Sequence, residues 1–361
     1  MAGDMWDNIM AQKPVLKSIL EDKAGIVQRS VGNIDLNKTS RIIFTGSGTS
    51  FNAGIAVRHM YESLLKKEIF VEYPYMLRNY SGLLNEVESK AALMIAVSQS
   101  GRSTGTLECV KKARIMGIET AAVTADKDSP LAAASDHVIE VMCGEEQAGP
   151  KTKGYTSTML TLQLMALCLG KKAGFIGEKE YCNYLEQIWR MIENIDDVIQ
   201  KSRQWIDKNM EWKNAKSICV IGYGPGYGTA LEGSLKILET FRKPVLAYDV
   251  EEYIHGPYNT LDENSFMIFI DAKPGGSPEL NKLMDFAKNI TKNFLVIAAG
   301  DGNAADITQE HIIPIPPCDE LVSPLISIVP FQVIAYRLAK SRGIEPETPR
   351  YPEFHKIMGS K

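Results

Sequence analysis

The sequence has little of what would mark a secreted, membrane-bound or nucleic-acid-binding protein. Its six cysteines, at 109, 143, 168, 182, 219 and 318, include no C-x-x-C pair. That pattern argues against a zinc site or disulfide frame and for reduced, buried thiols. No apolar run approaches the roughly 18 residues that suggest a membrane span. The opening MAGDMWDNIMAQKP contains two Asp and no apolar core, unlike a secretory leader, so a cytoplasmic location is expected. Clustered cations are missing too: 40 Lys and Arg stand against 44 Asp and Glu, a net charge of −4. A nucleic-acid partner would want a basic patch. No metal is expected, no nucleic acid and no membrane.

The 361 residues, 45% apolar and 23% charged, suffice for two globular domains, each with its own core. Residues 5–35 read as an amphipathic helix broken or started at Pro14, with Val15, Leu16, Ile19 and Leu20 on one face. Short apolar runs at Arg41–Phe44, Phe70–Tyr73, Leu93–Val97, Glu119–Thr124 and His137–Val141 alternate with helical spacing. Such alternation is the signature of a largely parallel sheet covered on both faces. A long helix is expected from about Thr156 to Leu169, and one or two more over 178–210.

The second half echoes the first. FTGSG at 44–48 answers to VIGYG at 220–224, MIAVS ending at Ser98 to MIFID ending at Asp271, and DHVIEV around His137 to EHIIPI around His311. Three strands recurring in one order indicate a tandem duplication. The copies are unequal. The first has SQSGRST at 98–104, where the second has DAKPGGS at 271–277, with an acid where an anion would sit. One phosphate site per chain is therefore expected.

The stretch around Ser98 carries the strongest chemical signal. An apolar strand stops at Ser98, Gln99, Ser100, Gly101, Arg102, Ser103 and Thr104, and helical spacing follows at Leu107, Val110 and Ala113. The first turn of a helix has unpaired N–H groups and a partial positive charge, and hydroxyls add donors, which together make an anion cup. An ordinary capped loop needs one hydroxyl; this one supplies four. Thr49 and Ser50 would join it from the neighbouring strand end. The loops GSGTSF at 46–51 and GYGPGYG at 222–228 break the dinucleotide spacing, so no nucleotide cofactor is expected. Further along, Glu232, Lys236 and Glu239 project from one side of a helix, beside an apolar stripe of Leu231, Leu235 and Leu238. Spacing alone leaves open a solvated ion pair. His255 follows in EEYIHGP at 251–257; it is a group able to titrate near neutrality.

These features together resemble the tandem SIS (sugar isomerase) domain family: the GTS loop at 48–50, SQSGRST at 98–104, and LEGSLKILE followed sixteen residues later by HGP. The likeness is to the isomerase half of glucosamine-6-phosphate synthase, and to aminosugar-phosphate deaminases and fructosamine-6-phosphate deglycases. It covers nearly the whole chain. It implies two flavodoxin-like, three-layer αβα domains, with a lead-in over 1–30, a phosphate-binding domain over 31–195, a catalytic domain over 196–345 and a tail over 346–361. It also implies a homodimer whose active site is shared between subunits.

By the same resemblance, Thr49, Ser50, Ser98, Gln99, Ser100 and Ser103 match residues holding the sugar 6-phosphate. Thr152 and Lys153 end the Gly144–Gly154 loop that closes over the sugar. Glu239 matches the carboxylate moving a proton between C1 and C2, His255 the histidine assisting ring opening, Lys236 a lysine of the same pocket and Glu232 an adjacent acid. The family tail has a lysine four residues after its Pro-Arg pair; here Lys356 lies six after Pro349-Arg350, so either Lys356 or His355 is the candidate. No glutaminase domain is expected. The implied activity is isomerisation with deamination or deglycation of an aminosugar or fructosamine 6-phosphate. The alternatives are a simple aldose–ketose isomerase and a non-catalytic sugar-phosphate sensor.

Overall fold

The computed structural model describes residues 4–22, 24–84, 91–146, 148–273, 275–300 and 307–360. Its first sheet comprises β1 (Arg41–Thr45), β2 (Glu68–Glu72), β3 (Ala92–Val97), β4 (Glu119–Thr124) and β5 (His137–Glu140), in the order β2-β1-β3-β4-β5. The second comprises β6 (Ile218–Gly222), β7 (Val245–Asp249), β8 (Phe266–Asp271), β9 (Phe294–Ala299) and β10 (Ile312–Ile315), in the order β7-β6-β8-β9-β10. All pairings are parallel. The expected α/β class with two flavodoxin-like sheets is what the chain adopts, because central parallel strands bury both faces and must be covered by helices.

Side-chain alternation explains the layers. Ile43, Met94, Ala96 and Ala122 pack on Leu77 of the helix Pro74–Asn79 and on Cys109, Val110 and Ala113 of the helix Thr104–Ile115. Phe44 turns the other way and meets Tyr61 of the helix Thr49–Leu65 edge to face, with centroids 4.9 Å apart. In the second sheet Ile221, Met267, Phe269 and Val296 pack on Tyr253, Leu280, Leu283 and Met284.

The two copies match element for element. β1 and β6 have 5 residues each, β3 and β8 have 6, and β5 and β10 have 4. The helices after β1 and β6, Thr49–Leu65 and Pro225–Phe241, both have 17 residues. They begin at glycines with φ of 55° and 50°, and end at left-handed Lys66 and Arg242 with φ of 52° and 59°. Shared cap geometry at both ends is hard to reach by chance, since left-handed non-glycine residues are uncommon.

The chain divides into two compact units. The first-sheet unit is Pro14–Glu146, Lys153–Leu185 and Pro349–Lys361; the second-sheet unit is Met1–Lys13, Gln147–Thr152 and Glu186–Thr348. Residues 5–35 form three helices, Met5–Met10, Gln12–Asp22 and Ala24–Ser30, rather than one. Pro14 falls in the first turn of the second, where its missing N–H costs nothing. Within the second-sheet unit, the Met5 N–H donates to Glu347 (2.7 Å) and the Trp6 ring lies 5.4 Å from Tyr336. The helix expected from Thr156 begins earlier, spanning Lys153–Lys172, and 178–210 forms two helices, Glu178–Glu193 and Ile195–Lys208.

The helices Pro225–Phe241 and Val329–Ser341 pack closely, and a methyl group added at Gly233 would sit 2.4 Å from the Phe331 ring. Gly233→Ala should therefore destabilise the fold by about 1–3 kcal/mol through overpacking. Gly149→Ala, which meets nothing within 4 Å, should change stability by less than about 0.5 kcal/mol. Urea denaturation of the two variants beside the wild type measures both.

Candidate functional site

In the first-sheet unit the candidate residues gather where β1 and β3 end side by side. Strand order reverses there, the place where open α/β sheets bind their ligands. A methyl group at Gly46 would lie 2.9 Å from the Val97 carbonyl and 2.8 Å from Ser50 Cβ, so the β1 turn rests directly on the end of β3. Thr49 and Ser50 open the 49–65 helix and are half-buried. Ser98 is buried, Gln99 and Ser103 are half-buried and Ser100 is exposed.

The backbone donors of the β3 loop divide into used and unused. The Ser98 N–H donates to the Val123 carbonyl (3.0 Å), Gly101 to the Ser98 carbonyl (3.0 Å) and Arg102 to Ser100 Oγ (3.3 Å). Among the described residues the N–H groups of Gln99, Ser100 and Ser103 meet no protein acceptor. Ser103 stands at the N-cap of the 104–115 helix without capping it; its Oγ accepts instead from Thr106 Oγ1 (3.2 Å). Unused N–H groups, hydroxyls and a helix N-terminus are the kinds of donor that an anion cup requires. The loop is braced from behind, because the Gln99 carbonyl accepts from the Ala125 N–H (2.9 Å) and from Thr124 Oγ1 (3.3 Å).

Three features of the cup were not singled out from sequence. Gln99 Nε2 contacts Cys143 Sγ at 3.5 Å, and burial pushes that thiol's pKa up. The Glu146 carboxylate accepts the Gly154 N–H at 2.9 Å, and this explains the early start of the 153–172 helix. The tail also reaches the cup rim: Thr104 donates its N–H to the Ser360 carbonyl (3.4 Å) and its Oγ1 to the Gly359 carbonyl (3.0 Å). Only Glu146 had a local signal, an acid shortly before a helix start.

Lys153 is half-buried at the head of its helix. Thr152, in the second-sheet unit, is fully buried, and its carbonyl accepts from Gln332 Nε2 (3.3 Å). Gln147 of the same loop lies outside the described residues. Lys356 and His355 are exposed on the short helix Phe354–Ile357, and His355 Nδ1 is 2.9 Å from Ser360 Oγ.

In the second-sheet unit, Glu232 and Lys236 are buried at 0% and 1% exposure, whereas Glu239 keeps 31% of its side chain exposed. Lys236 Nζ lies 3.3 Å from Glu232 Oε1 and also hydrogen-bonds Glu239 Oε1. Burial works against the Lys236 ammonium, but the charges and hydrogen bonds of Glu232 and Glu239 outweigh it and hold its pKa above the ordinary value. Of the alternatives that spacing left open, the solvated ion pair is not the one that forms. The helix is inverted: Leu231 and Leu235 are only half-buried and Leu238 is 42% exposed.

His255 ends the short helix Val250–Ile254 with its side chain 68% exposed and its Nε2 3.1 Å from Glu251 Oε1. The structure records no hydrogen bond or ion pair between it and Glu239. At the strand end equivalent to the cup, Asp271 is buried and accepts the Tyr223 hydroxyl at 2.8 Å. Burial raises this carboxyl's pKa, and the tyrosine bond partly opposes the rise. Pro274 of this segment lies outside the described residues. Among the described residues no group of three or more His, Cys, Asp or Glu side chains could hold a metal, and no helix is long and apolar enough to cross a membrane.

Duplicated parallel sheets with a hydroxyl-rich strand end define a class, the tandem flavodoxin-like α/β proteins. Within it the chain belongs to the SIS domain family, which matches residues 35–168 and 212–342. It is 28% identical over 368 residues to the glutamine–fructose-6-phosphate aminotransferase (isomerizing) of Thermotoga maritima, covering 96% of this chain and 59% of that protein. A crystal structure from Clostridium difficile 630, described provisionally as a phosphosugar isomerase, is 31% identical with a TM-score of 0.89 and covers 99% of each chain. Glucosamine-6-phosphate deaminase of Thermotoga maritima, at 22% identity, has a TM-score of 0.74 over 97% of this chain and 98% of its own, a likeness of fold alone.

Removing Lys236 strands a buried carboxylate. Lys236→Met should cost about 3–5 kcal/mol, and adding Glu232→Gln should return part of it. Because the ammonium's pKa is raised on folding, its contribution is complete below about pH 10.4 and lost as the pH climbs through the folded value. The difference in unfolding free energy between wild type and Lys236→Met should stay constant from about pH 7 to 10. A difference that collapses within that range contradicts the buried triad.

Proposed function

We propose that the chain binds a sugar 6-phosphate in the Ser98–Ser103 cup and acts on it as an aminosugar-phosphate isomerase that also releases the amine, by deamination or deglycation. The observation carrying this reading is the Glu232–Lys236–Glu239 triad. Two of its members are buried, and the half-exposed third is aimed by the ammonium. A buried ion pair adds little to stability compared with apolar residues of similar size, so a chemical role is the better account of it.

Thr49, Ser50, Ser98, Gln99, Ser100 and Ser103 would hold the phosphate, with Thr152 and Lys153 at the loop over the sugar. His255 opens the ring. Glu239 removes the C2 proton of an open-chain 2-amino aldose, giving an enolamine, and returns a proton at C1. Water adds to the resulting C2 imine and ammonia leaves, so one water is consumed per amine released. In the deglycation direction the same base works from C1 to C2. Lys236 orients the base, and Lys356 or His355 approaches from the tail at the cup rim.

We also assign a homodimer, with His255 serving the partner's site. Its exposure, and that of Leu238, Leu246, Ile254 and Tyr258, supports a covered face there. Free thiols at all six cysteines fit a reducing cytoplasm. An aldose–ketose isomerase without amine release would use the same base; the likeness to the Clostridium difficile structure favours that second reading.

Glu239→Gln should lower kcat by about 10²–10⁴-fold on the best substrate while sugar-phosphate affinity changes little. A panel of glucosamine, fructosamine and hexose 6-phosphates, assayed for ammonia or free amine, separates the two readings. Turnover that survives the substitution undiminished would remove Glu239 from the chemistry. Mixing His255→Ala with Glu239→Gln chains should restore activity if the site is shared, and no recovery speaks against sharing.

A further inference from the structure

A second charged feature lies at the N-terminal ends of β6 and β7 in the second sheet. Lys213, Lys216, Lys243 and Arg342, with Asn214 and Ser341, line an open cleft of about 370 Å³. β6 and β7 pair in register at Ile218 and Val245. Lys216 and Lys243 each precede their strand by two residues, so parallel pairing sets them side by side. Arg342 follows the 329–341 helix, and its guanidinium stacks 5.0 Å over the Phe241 ring. That leaves its N–H edges for an acceptor. Among the described residues none of the four pairs with a carboxylate, in a chain where acids outnumber bases by 44 to 40.

An ordinary role for these cations is to neutralise helix ends. Two helices finish here, at Phe241 and Ser341. Each C-terminus carries about half a negative charge, roughly one in all. Arg242, which caps the first, is already engaged with the Thr348 carbonyl (2.7 Å). Four further full charges exceed that need. A single phosphate brings at most about two charges, and a cleft of this volume falls in the range of small-molecule pockets.

We propose that this cleft is a second anion site, separate from the Ser98–Ser103 cup, for a small molecule carrying two or more linked phosphates. It sits at the C-terminal end of the helix that bears Glu239, outside the chemistry assigned to that residue. The proposal does not depend on which reaction the chain performs.

Inorganic tripolyphosphate is the probe, titrated calorimetrically into the full chain at fixed ionic strength, with sodium sulfate as control. Wild type should show a saturable site, beyond any binding at the cup, that persists in a cup variant, Ser100→Asp/Ser103→Asp. Lys216→Glu/Lys243→Glu should weaken it at least tenfold while retaining the wild-type circular dichroism spectrum. Should the charge-reversed pair misfold, Lys216→Gln/Lys243→Gln takes its place with the same expectation. Binding lost in the cup variant and kept in the lysine variants would overturn the assignment. So would equal binding of sulfate, or displacement of the probe by a short single-stranded oligonucleotide that binds more tightly.

Discussion

A parallel strand that ends in a turn leaves backbone N–H groups with nothing to bond, and much of this protein's architecture follows from where it leaves them. At the end of β3 the chain satisfies Ser98, Gly101 and Arg102 locally and leaves Gln99, Ser100 and Ser103 open. Burying such donors without acceptors would cost about 1–3 kcal/mol each, and the three residues are exposed or half-buried rather than sealed in the core. β1 and β3 lie together, because glycine at position 46 lets the turn after β1 approach Val97. Thr49 and Ser50 are thereby brought to the same strand ends as Ser98. The cup is a consequence of sheet order before it is a property of any side chain.

Duplication then separated two roles. Both copies keep strand lengths, the 17-residue helix and its left-handed cap, because packing between sheet and helix fixes those. The strand ends differ: Asp271 holds the Tyr223 hydroxyl in the second copy, where Ser98 stands in the first. The second copy's helix gained charges on its inner face. Glu232 and Lys236 occupy buried positions that apolar residues would fill at less cost, while leucines turn outward. Burying those charges adds little to stability, which is why the proposed chemistry is placed on this helix.

Much of this was legible in the sequence where one local signal governed one element. The apolar run Leu93–Val97 falls within β3, and the repeats pairing β1 with β6, β3 with β8 and β5 with β10 lie where the sequence suggests. β2 starts two residues earlier than expected and ends one earlier, because an edge strand is only partly buried and carries little apolar signal. The early start of the 153–172 helix depends on Glu146, a cap supplied from outside the helix. The tail's contact with Thr104 joins residues 255 positions apart, beyond any local pattern. The inversion of the 225–241 helix was hidden for another reason: leucines and charges at helical spacing look the same whichever face is buried. Only the packing of Gly233 on Phe331 decides it.

The most direct test is a crystal of the protein soaked with glucosamine 6-phosphate. Phosphate density is expected within hydrogen-bonding distance of the backbone N–H groups of Gln99, Ser100 and Ser103. Density for the phosphate elsewhere, with those three groups facing only solvent, would contradict it.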